Sequence, residues 1–572
     1  MVVRSKTAFV AAAVCLMLPY GCRGRFPTAA SREAPALFRD VAAQAGLSYK
    51  WSIPGKRPLN ILQTIGNGCA FLDYNQDGAL DILLVGPRVA LYQGDGRGRF
   101  KDVTRQAGLE TLKGSFLGCA VGDYDNDGFP DIYLTAYRGG ALLHNEPAPG
   151  GSRMFRDVTR QAGLAKQPWS TSASFVQLDP ESGRLDLVIA NYARFNHSSA
   201  IPQLCEQKSL KGLSLLTSCG PRHYTPLKAV LYRNIGSGRF APAETLSQAS
   251  GRGLGVAACD YDNIGSQSLA FANDETTGDL LQNGPHGRLN NVGAISGTAY
   301  DRDGNIHGGM GLDWGDYDND GREDLLVTTF QNEPKCLYHN EGGGNFVDSS
   351  YPSGLGTAAY SNVAFGCKFL DYDNDGLLDI AIANGHVQDN IAQIDSSTTY
   401  RQTMQLFHSH QAAAGGAVTF QEVSGVAGPD FQRPIVGRGL AAGDFDNDGG
   451  IDLLVVDSEG APLLLHNECI GRGHWLGVRL RGVKCNRDGY GSILTLKGPG
   501  FTLTRLCHAD GSYMSSSDPR VLFGLGAHTD PSELRIKWPD GHEDTIRDMR
   551  LDRYSEIVEG GQQIPMERNV AR

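Results

Sequence analysis

Beyond its first residues, the chain contains no run of 18 apolar residues, so no helix of the mature protein is long enough to span a bilayer. Charge is sparse, with Asp, Glu, Lys and Arg making up 20% of the residues. Acidic residues outnumber basic ones by 63 to 52, giving a net charge of −11. Basic clusters are absent, which excludes nucleic acid as a partner class. Three catalytic signatures are also missing: a Gly-x-Ser-x-Gly nucleophile elbow, a His-x-x-x-His zinc pair and a glycine loop able to cradle phosphate. Non-enzyme is the expectation.

Glycine is abundant, at 73 of 572 residues. Together with 41% hydrophobic residues this predicts a globular, all-β chain of many tight turns. Five acidic loops organise it. The clearest is Asp316-Tyr317-Asp318-Asn319-Asp320-Gly321-Arg322-Glu323-Asp324, which runs into the apolar Leu325-Leu326-Val327. Oxygen side chains fall at loop positions 1, 3, 5 and 9, and Gly321 occupies position 6, where a chain curling round a cation turns sharply. Carboxylates so crowded repel one another unless a divalent ion lies among them. The other complete loops are Asp73, Asn75, Asp77, Asp81; Asp123, Asp125, Asp127, Asp131; Asp371, Asp373, Asp375, Asp379; and Asp444, Asp446, Asp448, Asp452. With Asp316, Asp318, Asp320 and Asp324 these are the expected metal ligands, for about five Ca2+ ions. Five such ions would cancel most of the net negative charge. A strand-like run follows each loop and no Glu stands at position 12, so these are not EF-hands. Asn75 is a weaker ligand than the Asp at the same place elsewhere.

The loops recur. Degraded forms begin at Asp179, which keeps Glu181 and Asp186 but is one residue short, and at Asp260, which keeps Asp262 but has Ile264 and Ser268 where carboxylates belong. Seven units result, each with about four short strands, predicting a seven-bladed β-propeller over residues 37–470. The phrase Phe38-Arg39-Asp40-Val41 precedes the first loop, and the last unit stops after His466-Asn467. The N-terminal phrase is therefore expected to complete the last blade and close the ring. Long insertions lie between Asn191 and Leu231 and between His386 and Phe420, where a partner site is best sought. From 474 to 560, alternating strands such as Leu534-Arg535-Ile536-Lys537-Trp538 predict a small β-sandwich-like domain packed beside the propeller, with a tail over 561–572.

Residues 1–21 have the charge of Arg4 and Lys6 and a short apolar core, as an export signal does, and 22–36 form a leader. The expected location is the cell envelope, periplasm or extracellular space. Gly21-Cys22 also resembles a bacterial lipoprotein signal, although Pro19 and Tyr20 depart from its usual pattern. A lipid on Cys22 is the one membrane link considered. Of the twelve cysteines, Cys69, Cys119 and Cys367 occupy equivalent repeat positions and read as buried free thiols. Cys205 with Cys219, and Cys485 with Cys507, are the disulfide candidates.

The loops and their Gly-x-Gly-Asp-Tyr-Asp-Asn-Asp-Gly context resemble FG-GAP or VCBS repeats. His474-Trp475-Leu476-Gly477-Val478, Asn486-Arg487-Asp488-Gly489-Tyr490-Gly491, Gly511-Ser512-Tyr513-Met514-Ser515-Ser516-Ser517-Asp518, Phe523-Gly524-Leu525-Gly526 and Trp538-Pro539-Asp540-Gly541 are similar to the ASPIC/UnbV domain. This order resembles the cartilage-acidic-protein-like family. The resemblance implies an exported, calcium-binding propeller that mediates interactions with a protein or glycan, calcium being structural. For the C-terminal domain it supplies no chemistry.

Among the histidines, His144, His339 and His466 recur at one repeat position and read as structural turn residues. His307 and His386 read as loop or capping residues. The alternative function is a catalytic propeller acting on an extracellular glycan or small molecule through the insertions near Cys219 and His386. Paired carboxylates are visible in the sequence only inside the loops.

Overall fold

A computed structural model describes residues 37–196, 203–284, 287–411, 416–469 and 471–566. The expected signal, Cys22 and the leader lie outside the described residues. The fold is nearly all β, its few α-helices being single turns of four residues.

Each acidic loop is the hairpin turn between the first and second strands of a four-stranded antiparallel sheet. In one such sheet Leu312–Gly315 precedes the loop, and Asp324–Val327, Cys336–Gly342 and Asn345–Asp348 follow it. The same order repeats along the chain. Two units share an eight-stranded sheet because Gln167–Val176 also pairs with Asp131–Gly139. First strands of successive units are neighbours in the order Cys69–Leu72, Ser115–Gly122, Gln167–Val176, Gly253–Cys259, Leu312–Gly315, Ala364–Leu370 and Gly437–Gly443, and the last returns to the first. These strands surround an axial channel. Phe38–Asp40 pairs with Leu463–Asn467, with Phe38 opposite Asn467, so the chain start completes the final sheet.

Core residues come from facing sheets, as in the cluster of Tyr317, Leu326, Leu337, Phe369, Ile380 and Phe407. A recurring asparagine at the end of the third strand adds a polar stitch between units. Nδ2 of Asn145 donates to the Tyr74 carbonyl (2.8 Å), and Asn234, Asn340 and Asn467 donate likewise to Tyr124, Tyr261 and Tyr372 of the preceding loops. All four asparagines are buried, so each bond satisfies groups that would otherwise be costly to bury.

The C-terminal residues form two four-stranded sheets, one containing His474–Arg481, Val521–Gly526, Tyr554–Val558 and Gln562–Pro565, the other Ile493–Gly498, Phe501–Leu506, Glu533–Lys537 and Glu543–Ile546. Two corrections to the sequence reading follow. Gln562–Pro565 is a paired strand, not tail, because its backbone completes the sheet edge at Tyr554–Val558. The domain also does more than lie beside the propeller, for its segment 507–520 enters the channel. Ser516 donates to the Cys69 carbonyl (3.0 Å) and its own carbonyl accepts from Phe71 (3.1 Å). Met514 donates to Ser172 Oγ (3.0 Å) and accepts from Cys119 (3.0 Å), while Ser512 and Leu312 exchange two backbone bonds. Tyr513 and Met514 are completely buried. Glycine makes the approach feasible, since a Cβ on Gly68 would stand 1.7 Å from the Met514 carbonyl oxygen.

Cys205 and Cys219 form a disulfide in the hairpin of the first insertion. Cys485 and Cys507 do not pair. Both are buried free thiols held in different turns, and the Cys507 thiol donates to the Asp488 and Pro519 carbonyls. Cys69, Cys119 and Cys367 are buried and free.

Candidate metal centre

All twenty predicted ligand residues fall in five loops of common geometry. The fifth-position N–H donates to one oxygen of the first Asp and the sixth-position glycine N–H to the other: Asp320 and Gly321 to Asp316 (both 2.9 Å), Asp448 and Gly449 to Asp444 (3.1 and 2.8 Å). Asp73, Asp123 and Asp371 accept the same pair of bonds. The Asp at position 5 of each loop then accepts from position 7, as Asp77, Asp127, Asp320, Asp375 and Asp448 do. The curl needs two consecutive departures from ordinary backbone. Position 4 has φ between 59° and 61° in all five loops (Gln76, Asn126, Asn319, Asn374, Asn447), and the position 6 glycine follows at positive φ.

Position 9 ties the loop to its sheet. Oδ1 of Asp81, Asp131, Asp324, Asp379 and Asp452 accepts from the N–H at the end of the third strand, at 2.7–2.9 Å. These five carboxylates are at most 1% exposed. Burial drives the carboxyls upward: Asp131 and Asp324 to about 7, Asp444 to about 7, and Asp316 to about 8. Such groups call for a positive partner. Several inward oxygens, Oδ2 of Asp131 and Oδ1 of Asp373 and Asp446, are buried and accept no hydrogen bond. The donor set and these orphaned oxygens fit a hard cation, whose ligands are oxygens.

The recurring histidines are not plain turn residues. His144 Nδ1 lies 3.1 Å from Asp131, His339 Nδ1 3.2 Å from Asp324, and His466 Nε2 3.2 Å from Asp446. His408, which the sequence reading passed over, lies 3.2 Å from Asp379. The close approach of these carboxylates pushes His339 and His408 up to about 9. The signal was the Leu-x-His part of the recurring phrase, here Leu406-Phe407-His408 followed by Ser409 in place of Asn. With Asp125 and Asp131, Asp318 and Asp324, Asp373 and Asp375, or Asp446 and Asp448, these histidines form clusters able to hold a metal ion.

The loops also touch one another and the C-terminal domain. Nδ2 of Asn319 donates to the Gly376 carbonyl, Asn374 to Gly449 and Asn447 to Gly78, linking successive loops. Oδ1 of Asn126 accepts from the Arg487 N–H (2.9 Å) and Oδ1 of Asn319 from Arg505 (3.2 Å). Arg520 bonds Asn447 Oδ1 and the Asp444 carbonyl, and the Tyr554 hydroxyl donates to Asp444 Oδ2 (3.0 Å).

Residues 73–134 and 316–382 match the FG-GAP-like repeat, and residues 482–564 match the ASPIC and UnbV family. The chain carries FG-GAP-like repeats and a C-terminal ASPIC/UnbV domain. Cartilage acidic protein 1 of Homo sapiens is 25% identical over 352 residues, covering 51% of this chain and 49% of that protein. The Xenopus tropicalis protein of the same name is 24% identical over 286 residues, 41% of this chain and 42% of that one. The chain thus spans about half or less of the length of these relatives. Solved structures similar to it include an Agrocybe aegerita lectin that recognises non-reducing terminal N-acetylglucosamine (13% identity, 70% of this chain and 94% of that one, TM-score 0.39). Another is the WD40 β-propeller domain of Doa1 (11% identity, 74% and 98%, TM-score 0.37).

The two degraded loops set basic side chains against their acids. Asp186 is paired with Arg233 (3.2 Å) and Asp260 with Lys537 of the ASPIC/UnbV domain (2.9 Å). The two insertions meet instead at the other end of the channel, where Thr217 donates to Asn390 (3.0 Å). Beside them is a cavity of about 180 Å³ lined by Tyr192, Cys219, Asp274, Glu275, Phe330 and Glu333. The Tyr192 hydroxyl donates to Asp274 (2.5 Å), and burial pushes that carboxyl up to about 7. Carboxylates therefore gather outside the FG-GAP loops too, which the sequence could not disclose. His386 is buried and 3.2 Å from Gln331, and His307 lies 3.0 Å from Asp301.

Proposed function

We propose that this chain is an exported seven-bladed propeller that binds about five structural Ca2+ ions and acts as an interaction or ligand-binding module. The observation that carries the calcium reading is the set of buried, unbonded carboxylate oxygens of Asp131, Asp373 and Asp446 inside loops built from oxygen donors alone at positions 1, 3, 5 and 9. Calcium would neutralise buried negative charge where the ASPIC/UnbV domain docks, fixing the two parts to each other. The strand order around the ring supports seven blades. Extracellular calcium modules bind at about 10⁻⁴–10⁻³ M, which suits a staple in a calcium-rich setting. Thermal unfolding in EGTA and in millimolar calcium tests this. Calcium should raise Tm steeply, since a hundredfold excess over Kd supplies about 2.7 kcal/mol per site. Equal Tm values would overturn it.

The alternative, a small-molecule or glycan site with catalytic capacity, is favoured by one observation. Asp274, whose carboxyl burial raises to about 7, stands in the cavity with Glu275 and Glu333. A glycan array probed with the calcium-loaded chain, followed by product analysis of any bound sugar, separates the two readings. Binding without turnover supports the module; turnover lost in Asp274→Asn supports the enzyme.

A further inference from the structure

The ASPIC/UnbV domain contains a group of donors unlike those of the acidic loops. Trp538-Pro539-Asp540-Gly541-His542 makes the turn between Glu533–Lys537 and Glu543–Ile546, closed by the Trp538 N–H on the His542 carbonyl (2.9 Å). The His542 ring stacks on Trp538 at 10° between planes. Cys485 follows the strand His474–Arg481, and Glu559 follows Tyr554–Val558. Chain segments far apart in sequence thus bring a thiol, an imidazole and two carboxylates together, with one ligand atom from each of Cys485, Asp540, His542 and Glu559 within 4.8 Å of all the others.

Glu559 is the telling member. Its side chain is 4% exposed. Oε2 accepts three backbone bonds, from Val483 (2.6 Å), Lys484 (2.7 Å) and Cys485 (3.0 Å). Oε1 is buried and accepts none. Facing it at 3.6 Å is Nε2 of His542, too far for a hydrogen bond. Nδ1 of the same ring is bonded to Asp540 Oδ1, the carboxylate–imidazole arrangement that orients metal-bound histidines. With the proton on Nδ1, the Nε2 lone pair faces an unsatisfied carboxylate oxygen, and either a second proton or a metal cation reconciles the two. A separation of 3.6 Å is close to the span between two ligands of one tetrahedral ion with bonds of about 2.0–2.1 Å.

We propose that Cys485 Sγ, His542 Nε2 and Glu559 Oε1 hold one zinc-class divalent ion, with Asp540 positioning the imidazole. Sulfur and nitrogen donors select such a metal over calcium, which takes oxygen ligands. The ion would cross-link three turns of the domain, with the buried thiol of Cys485, which is in no disulfide, as its sulfur donor.

The test is Co2+ addition to the full chain in excess calcium, reading thiolate-to-metal charge-transfer absorption. One equivalent should produce the band, and one equivalent of Zn2+ should remove it. Cys485→Ser abolishes the band, Cys469→Ser leaves it unchanged, and Asp540→Asn weakens Co2+ binding about 10–100-fold. If Cys485→Ser does not fold, Glu559→Gln, which still accepts the three backbone bonds, serves in its place and should weaken Co2+ binding at least tenfold. No band in the wild-type chain, a band persisting in Cys485→Ser, or unchanged affinity in Glu559→Gln overturns the site and leaves His542 and Glu559 as an ion pair.

Discussion

Nζ of Lys537 lies 2.9 Å from Oδ2 of Asp260, in the loop where Ile264 and Ser268 replace two carboxylates. A tethered ammonium stands at the loop that has lost ligands, and Arg233 does the same for Asp186. In these two units a basic side chain balances acid that remains where ligands are lost, and no ion is expected there. Metal analysis of the chain after equilibration with calcium should return about five ions, not seven. Lys537→Met leaves Asp260, only 5% exposed, without its partner and should cost on the order of 1–3 kcal/mol in denaturant unfolding.

The pH dependence of the calcium-free chain should run downhill. Asp316, Asp324, Asp131 and Asp444 have folded values of about 7–8, far above the ordinary carboxylate range. Between about pH 4 and pH 8 the folded state therefore binds more protons than the unfolded state, and stability falls as pH rises. Calcium reverses the trend, because ligands must ionise to bind it. Tm measured from pH 5 to pH 8 should decline in EGTA and rise in calcium; parallel curves would contradict the loop assignment.

Arg520 couples the C-terminal domain to the loop of Asp444. Its Nε lies 2.8 Å from Asp518, and the two side chains are 6% and 4% exposed. Arg520→Met strands the Asp518 carboxylate in the interior, a loss of about 3–5 kcal/mol. The same change removes the bonds to Asn447 and Asp444, so calcium affinity should also drop. Calorimetric titration checks the second effect independently of the first.

A methyl group is enough to test the plugged channel. Gly68→Ala would drive a Cβ into the Met514 carbonyl, and overpacking of this kind costs about 1–3 kcal/mol or more. Gly220→Ala meets nothing within 4 Å and should leave Tm nearly unchanged. Equal effects at the two positions would mean that segment 507–520 does not occupy the channel in solution.

Much of this architecture was legible in the residues themselves. Loop spacing and the glycine at position 6 are local, because a nine-residue curl is dictated by its own hydrogen bonds and backbone angles. The repeat of Phe-Arg-Asp-Val placed Phe38 beside Asn467, since a lone phrase at one end and a missing strand at the other have one economical solution. Cys205 and Cys219, which bracket one insertion, were a disulfide candidate that the structure bears out.

What escaped the sequence depends on contacts between distant segments. The Cys485–Cys507 pairing failed because strand register sent the two thiols into different turns. The histidines were misread because ring direction follows from sheet pleat and twist, not from the turn phrase.

Sequence alone determined the repeating unit and the candidate cation ligands, for those rest on short-range backbone geometry and on charges held within nine residues. Only the tertiary structure decided that segment 507–520 enters the channel, that Lys537 and Arg233 pair with acids of the two degraded loops, and that Cys485, His542 and Glu559 converge. Such meetings are set by how whole sheets pack, and packing depends on shape and burial summed over the chain, which no single stretch of residues encodes.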